Sequence, residues 1–98
     1  MASKVIEQLA DLIRETSSSL PPDVLKALKS ARRKERKGSS AAVVLKTILD
    51  NCAIAAKRGT PLCQDTGTLT FFVDERLRRK VTPAVIGKAV AIATEKGY

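Results

Sequence analysis

Histidine and tryptophan are absent from this 98-residue chain. Without histidine it lacks the commonest general base, the Ser-His and Cys-His nucleophile pairs, and every His-containing zinc site. Any chemistry it carries runs on carboxylate, thiol, hydroxyl or cationic groups. Aromatic residues are scarce too: Phe71, Phe72 and Tyr98. Two cysteines, Cys52 and Cys63, do not make the dense framework of a secreted disulfide scaffold, so a reducing compartment is the simpler expectation. No apolar run approaches the roughly 20 residues needed to cross a bilayer. The opening Met1-Ala2-Ser3-Lys4 leads into a segment broken by Glu7, Asp11 and Arg14 and does not read as a signal peptide. The expectation is a soluble, unexported, cytoplasmic chain with no membrane partner.

What is present is ordinary globular usage, 44% hydrophobic and 29% charged, which excludes wholesale disorder and fibrous repeats. The length allows one small domain, so residues 1–98 are read as one unit with no internal boundary and no repeat. Eighteen Lys and Arg against ten Asp and Glu make a net charge of +8, which attracts polyanions and small dianionic substrates alike.

Periodicity predicts four helices. Ile6, Leu9, Ala10 and Ile13 keep helical spacing behind Ser3 as a cap, and this helix should end in Thr16–Ser19. Pro21, Pro22 and Asp23 suit the start of a second, with Val24, Ala27, Leu28 and Ala31 as its buried stripe and Arg32–Lys37 as its solvated end. Ser39 or Ser40 can cap a third, whose stripe of Leu45, Ile48, Leu49 and Cys52 continues through Ala53 and Ala56 to a stop at Gly59. Thr82 and Pro83 open a fourth, striped by Ile86, Ala89, Val90 and Ala93 and ended by Gly97.

Between the last two helices, Thr68–Val73 is β-branched and aromatic enough to predict a strand, with Phe71 and Phe72 buried on opposite faces. The fold class expected is therefore α+β and helix-rich, with about four helices and one clear strand. A lone strand leaves its backbone groups unpaired. Its partner is either a weak return strand over Glu75–Lys80 or, the favoured reading, residues outside this chain.

The segment Pro61-Leu62-Cys63-Gln64-Asp65-Thr66-Gly67 has no periodicity and packs a thiol, an amide, a carboxylate, a hydroxyl and a glycine into successive positions. A thiolate can ligate iron or zinc, a carboxylate can move a proton, and Gly67 permits close backbone approach. Taken alone, the same residues also describe a polar turn with Cys63 as a small buried residue.

This string resembles the Pro-x-Cys-Gln-Asp-Thr-Gly signature of the iron–sulfur-dependent class I fumarate hydratases and L(+)-tartrate dehydratases. The resemblance extends to Leu20–Leu28 and to Leu49-Asp50-Asn51-Cys52-Ala53, and identifies the chain as similar to the N-terminal part of their α region. It implies a hydro-lyase whose [4Fe–4S] cluster is held by three cysteines, with one iron open to a four-carbon dicarboxylate. Residue by residue, Cys63 matches a cluster ligand and Asp65 the motif's carboxylate, placed in the proton relay. Gln64, Thr66 and Gly67 match positions that bind substrate or orient the cluster's surroundings. Cys52, on an apolar stripe, is read as core. One cysteine of three and no histidine then imply a fragment inactive alone, completed by the remainder of the enzyme or a β subunit in an oligomer. Fumarate is the first substrate expected, with tartrate as the alternative.

Two other classes compete. Asp65-Thr66-Gly67 is also the aspartic-protease triplet, but that site sits on a mostly β fold and here three predicted helices precede it. The cations of Arg32–Lys37 and Arg76–Lys80 could neutralise phosphates, yet Glu35 and Glu75 interrupt them and aromatic residues are few, so nucleic acid is not the expected partner.

Overall fold

A computed structural model describes residues 2–63 and 68–98, Ala2 by its backbone alone. Four helices form where the spacing places them: α1 (Ala2–Ser18), α2 (Pro22–Lys34), α3 (Ser40–Arg58) and α4 (Pro83–Lys96). A short 3-10 turn, Glu75–Leu77, precedes α4. Local chemistry sets most of the boundaries. The Ser39 hydroxyl accepts from the Ala42 N–H at 3.2 Å, and the Thr82 hydroxyl accepts from the Val85 N–H at 3.3 Å, each satisfying a donor that the first helical turn leaves free. Ser3 does not cap α1, because the helix already includes Ala2.

The core lies between α1 and α4. Ala10, Ile13, Ala89 and Ala93 are buried, with Ile6, Leu9, Phe71, Val90 and Tyr98 packed around the cluster of Ile13, Ala89 and Ala93. Alanine at the contact lets two helices approach closely while still removing apolar surface from water. At the end of α4, Gly97 takes φ 80 and the Tyr98 N–H donates to the Ala93 carbonyl at 2.9 Å. That turn directs the Tyr98 ring back onto the core.

The α2–α3 pair is built differently. Helix α2 packs against α3 alone and buries no residue. The expected stripe is not covered: Leu28 is half-buried, while Val24, Ala27 and Ala31 are exposed. In α3 the buried positions are Cys52 and Ala55, the latter in place of the expected Ala53 and Ala56. The molecule extends 53 × 27 × 21 Å. Its accessible surface of 7862 Å² compares with about 5,500 Å² for a compact monomer of this mass. Much apolar surface is left uncovered, Val43, Val44 and Ile54 of α3 included.

The α+β expectation is overturned: among the described residues there is no strand, and the fold is helical. Thr68–Val73 runs without regular structure. High β-propensity in that segment meets no neighbouring strand to pair its backbone, and propensity without a ladder does not make a strand. Glu75–Lys80 cannot serve as the return strand, because Glu75–Leu77 is a 3-10 turn capped by the Asp74 carboxylate, which accepts from the Arg76 N–H at 2.8 Å. Phe71 packs on the core, but Phe72 is 96% exposed, so burial on both faces is also corrected.

Candidate functional site

The loop that carries Cys63 begins where α3 stops. Gly59 adopts φ 65, ψ 30, and the Thr60 N–H donates to the Ala55 carbonyl at 3.2 Å, reversing the chain in a glycine-terminated cap. Glycine is required by the backbone: its φ is one that L side chains rarely adopt. A Cβ there would meet Cδ of Arg14 at 3.4 Å, an ordinary van der Waals contact. Arg14 also places its guanidinium carbon 5.8 Å from the centroid of the Tyr98 ring, within cation–π range. Side chains of α1 and the end of α4 thus frame the turn by which α3 releases the chain.

Pro61 follows, and then the backbone of Leu62 is held on both sides. Its N–H donates to the Ser17 carbonyl, near the end of α1, at 2.9 Å. Its carbonyl accepts from Nδ2 of Asn51, on α3, at 2.7 Å. Only the NH₂ end of an amide can face a carbonyl, so the orientation of Asn51 is dictated by chemistry. Cys63 comes next, exposed and with a free thiol. Cys52 is also free but buried in α3, the core position its stripe predicted. The two cysteines, though only eleven positions apart, face different environments.

Gln64, Asp65, Thr66 and Gly67, which complete the expected site, lie outside the described residues. On the far side of them the chain is tied down again by Phe71 on the α1–α4 core. The anchored positions on either side of the undescribed residues are therefore Leu62, clamped between α1 and α3, and Phe71. Among the described residues no three side chains of Cys, Asp or Glu come together as metal ligands. Of the two free thiols Cys63 is the exposed one, and a thiolate is the donor that iron–sulfur clusters take.

Sequence reasoning missed the parts played by Asn51 and Ser17. A signal existed for Asn51: asparagine competes with the backbone for hydrogen bonds and is a poor interior helix residue, yet it sits well inside α3 beside the buried Cys52. For Ser17 the bond comes from the main chain and carries no residue signature.

Charge gathers elsewhere. Lys29, Arg32, Arg33, Lys37 and Lys46 line an open cleft of about 770 Å³ between α2 and the first half of α3, with Glu35. Lys46 is paired with Asp50 at 2.7 Å. Among the described residues, none of the Cys63 loop lines this cleft. Near Glu75, the Arg76 guanidinium holds the exposed Asp74 carboxyl below its usual range, helped by the Arg76 backbone N–H, and Asp74 in turn raises Arg76. No helix among the described residues is long and apolar enough to cross a membrane.

Comparison with known proteins bears on the whole chain. The family model for fumarate hydratase (Fumerase) matches residues 6–98. A Geobacillus stearothermophilus protein provisionally named fumarate hydratase class I is 39% identical over 99 aligned residues, covering 96% of this chain and 19% of that protein. A Methanocaldococcus jannaschii protein, provisionally named as the α subunit of L(+)-tartrate dehydratase, is 40% identical over 70 residues, covering 71% of this chain and 24% of its own length. The α subunit of L(+)-tartrate dehydratase from Escherichia coli K12 is 34% identical over 71 residues, covering 72% and 23%. The chain thus spans about a fifth to a quarter of the length of these relatives.

Proposed function

The chain belongs to the fumarate hydratase family, and from that premise we propose that it supplies the cysteine-bearing loop of an iron–sulfur hydro-lyase that adds water to fumarate to give malate. The observation that carries this reading is the string Pro61-Leu62-Cys63-Gln64-Asp65-Thr66-Gly67, with its thiol exposed and free directly after a clamped backbone.

A [4Fe–4S] cluster, when bound, supplies a Lewis-acidic iron for the hydroxyl that is lost or gained. The chain's own contribution is made by named groups. Cys63 offers Sγ as thiolate, the form of cysteine that ligates metal. Asp65 moves a proton in the relay near the departing or entering water. Gln64 and Thr66 hydrogen-bond the substrate or orient the cluster's surroundings, and Gly67 allows the backbone close to them. The excess of cations draws the dicarboxylate in.

Residues 1–98 act as one part of the α region, without an internal boundary. The other two cluster cysteines and the histidine of the relay come from the remainder of the enzyme or a β subunit, within an oligomer. The large uncovered surface supports such a complement. The reducing conditions of the cytoplasm keep Cys52 and Cys63 as free thiols.

L(+)-tartrate is the second substrate reading, supported by the two relatives named for it. Fumarate comes first because the relative covering 96% of this chain bears that name. The assembled enzyme, loaded anaerobically with iron and sulfide, should be assayed with fumarate and with L(+)-tartrate, and its iron counted. Turnover of fumarate, with iron and activity both lost in Cys63→Ser, is expected. Wild-type iron in that variant overturns the ligand role of Cys63, and turnover of tartrate alone replaces the substrate.

A further inference from the structure

Asn51 stands out because it is neither core nor one of the motif's residues. It is exposed, it sits within α3, and its side chain crosses eleven positions of sequence to hold one carbonyl. That carbonyl, of Leu62, belongs to the same planar peptide as the N–H of Cys63. The preceding peptide is fixed through the Leu62 N–H to Ser17 of α1 at 2.9 Å. The 2.7 Å bond from Asn51 therefore sets the rotation of the one plane still free to turn before the Cα of Cys63, and with it the point from which the Cys63 side chain departs.

We propose that Asn51 is a positioning residue, whose amide orients the Leu62–Cys63 peptide so that the Cys63 thiolate is presented in one direction for iron. The role is local. An exposed side-chain bond contributes little to the stability of a whole fold, and α3 is already ordered by its caps at Ser39 and Gly59. Only a donor serves here: an aspartate of the same size would turn a carboxylate oxygen toward the Leu62 carbonyl.

The proposal rests on the reading of Cys63 as a cluster ligand, and the test separates the two. Asn51→Ala, Asn51→Asp and Cys63→Ser are introduced into the assembled enzyme. Three quantities are measured: amide hydrogen exchange at Leu62, whose N–H is held by the Ser17 carbonyl, in the cluster-free protein, release of iron to a chelator from the loaded protein, and alkylation of Cys52 by a maleimide. Both Asn51 variants should speed exchange at Leu62 and release iron faster, each by about five- to tenfold, the equivalent of one ordinary hydrogen bond. Cys52 should stay unreactive. Unchanged exchange, or unchanged iron release, overturns the proposal, as does wild-type behaviour in Asn51→Asp. Faster exchange spread over all of α3 with Cys52 turned reactive overturns it too, since Asn51 would then be holding the helix pair together. Wild-type iron in Cys63→Ser instead overturns the ligand reading and leaves the exchange result to judge the clamp alone.

Discussion

Helices α1 and α4 meet along buried alanines and Ile13, whereas α2 leans on α3 with every one of its residues at least partly in water. The two pairs are similar in length and in helical signal, so propensity does not separate them. What separates them is a third layer. Phe71 and Tyr98 return from outside the helices to close the α1–α4 contact, while among the described residues nothing returns over α2. An amphipathic stripe is buried only where some other element reaches it. The described residues on either side of Gln64–Gly67 reach the closed side of this divide, Leu62 through its bond to α1 and Phe71 on the core.

The comparison can be broken most severely at the loop. Cys63→Ser in the assembled enzyme should lower cluster iron and activity together by about a hundredfold or more, because a neutral hydroxyl is a poor replacement for a thiolate on iron. Asp65→Asn should keep the iron and still lose turnover, by about a hundredfold, since it removes only the titratable proton. Iron counts and initial rates on the same samples check both.

Packing comes next in size. Ile13→Ala should cost about 2–4 kcal/mol in chemical denaturation, and Ala93→Leu, which forces bulk between α1 and α4, about 1–3 kcal/mol. The matched change on α2, Ala27→Leu, should stay within about 0.5 kcal/mol. Equal costs on the two helices would show that α2 is covered after all. Gly59→Ala should cost about 1 kcal/mol or more and, unlike the core changes, should speed amide exchange at Thr60 and Leu62.

The smallest effect expected is one of pH. The folded Asp74 carboxyl titrates below its ordinary value because of Arg76, so its contribution is fully present above the unfolded pKa and is lost as pH falls through the folded one. Acidification below about pH 4 should loosen the Glu75–Leu77 turn while α1 and α4 keep their circular dichroism. Asp74→Asn should remove that pH dependence. Side-chain NMR shifts of Arg76 would report it.

Much of the helical layout is legible in the sequence. Ser39, Thr82, Gly59 and Gly97 mark helix ends by chemistry that acts within a few residues. The cap at Ser3, the α2 stripe and the burial of Phe72 were misread, each because a local pattern was taken to guarantee a neighbour. The candidate site was legible only as a string. Cys63 is exposed and Cys52 is buried, as its stripe predicted, but the clamp at Leu62 is a meeting of α1 and α3 that no window of sequence contains.

The sequence by itself determined where α2, α3 and α4 start and stop, which cysteine is core, and the membership carried by Pro61–Gly67, because these depend on residue type and on spacing within a few turns. Tertiary structure alone decided that Thr68–Val73 is not a strand, that α2 keeps its apolar face in water, and that Asn51 reaches the peptide before Cys63. Each of those outcomes depends on whether a partner stands within a few ångströms in space, and that is a property of the packed chain as a whole.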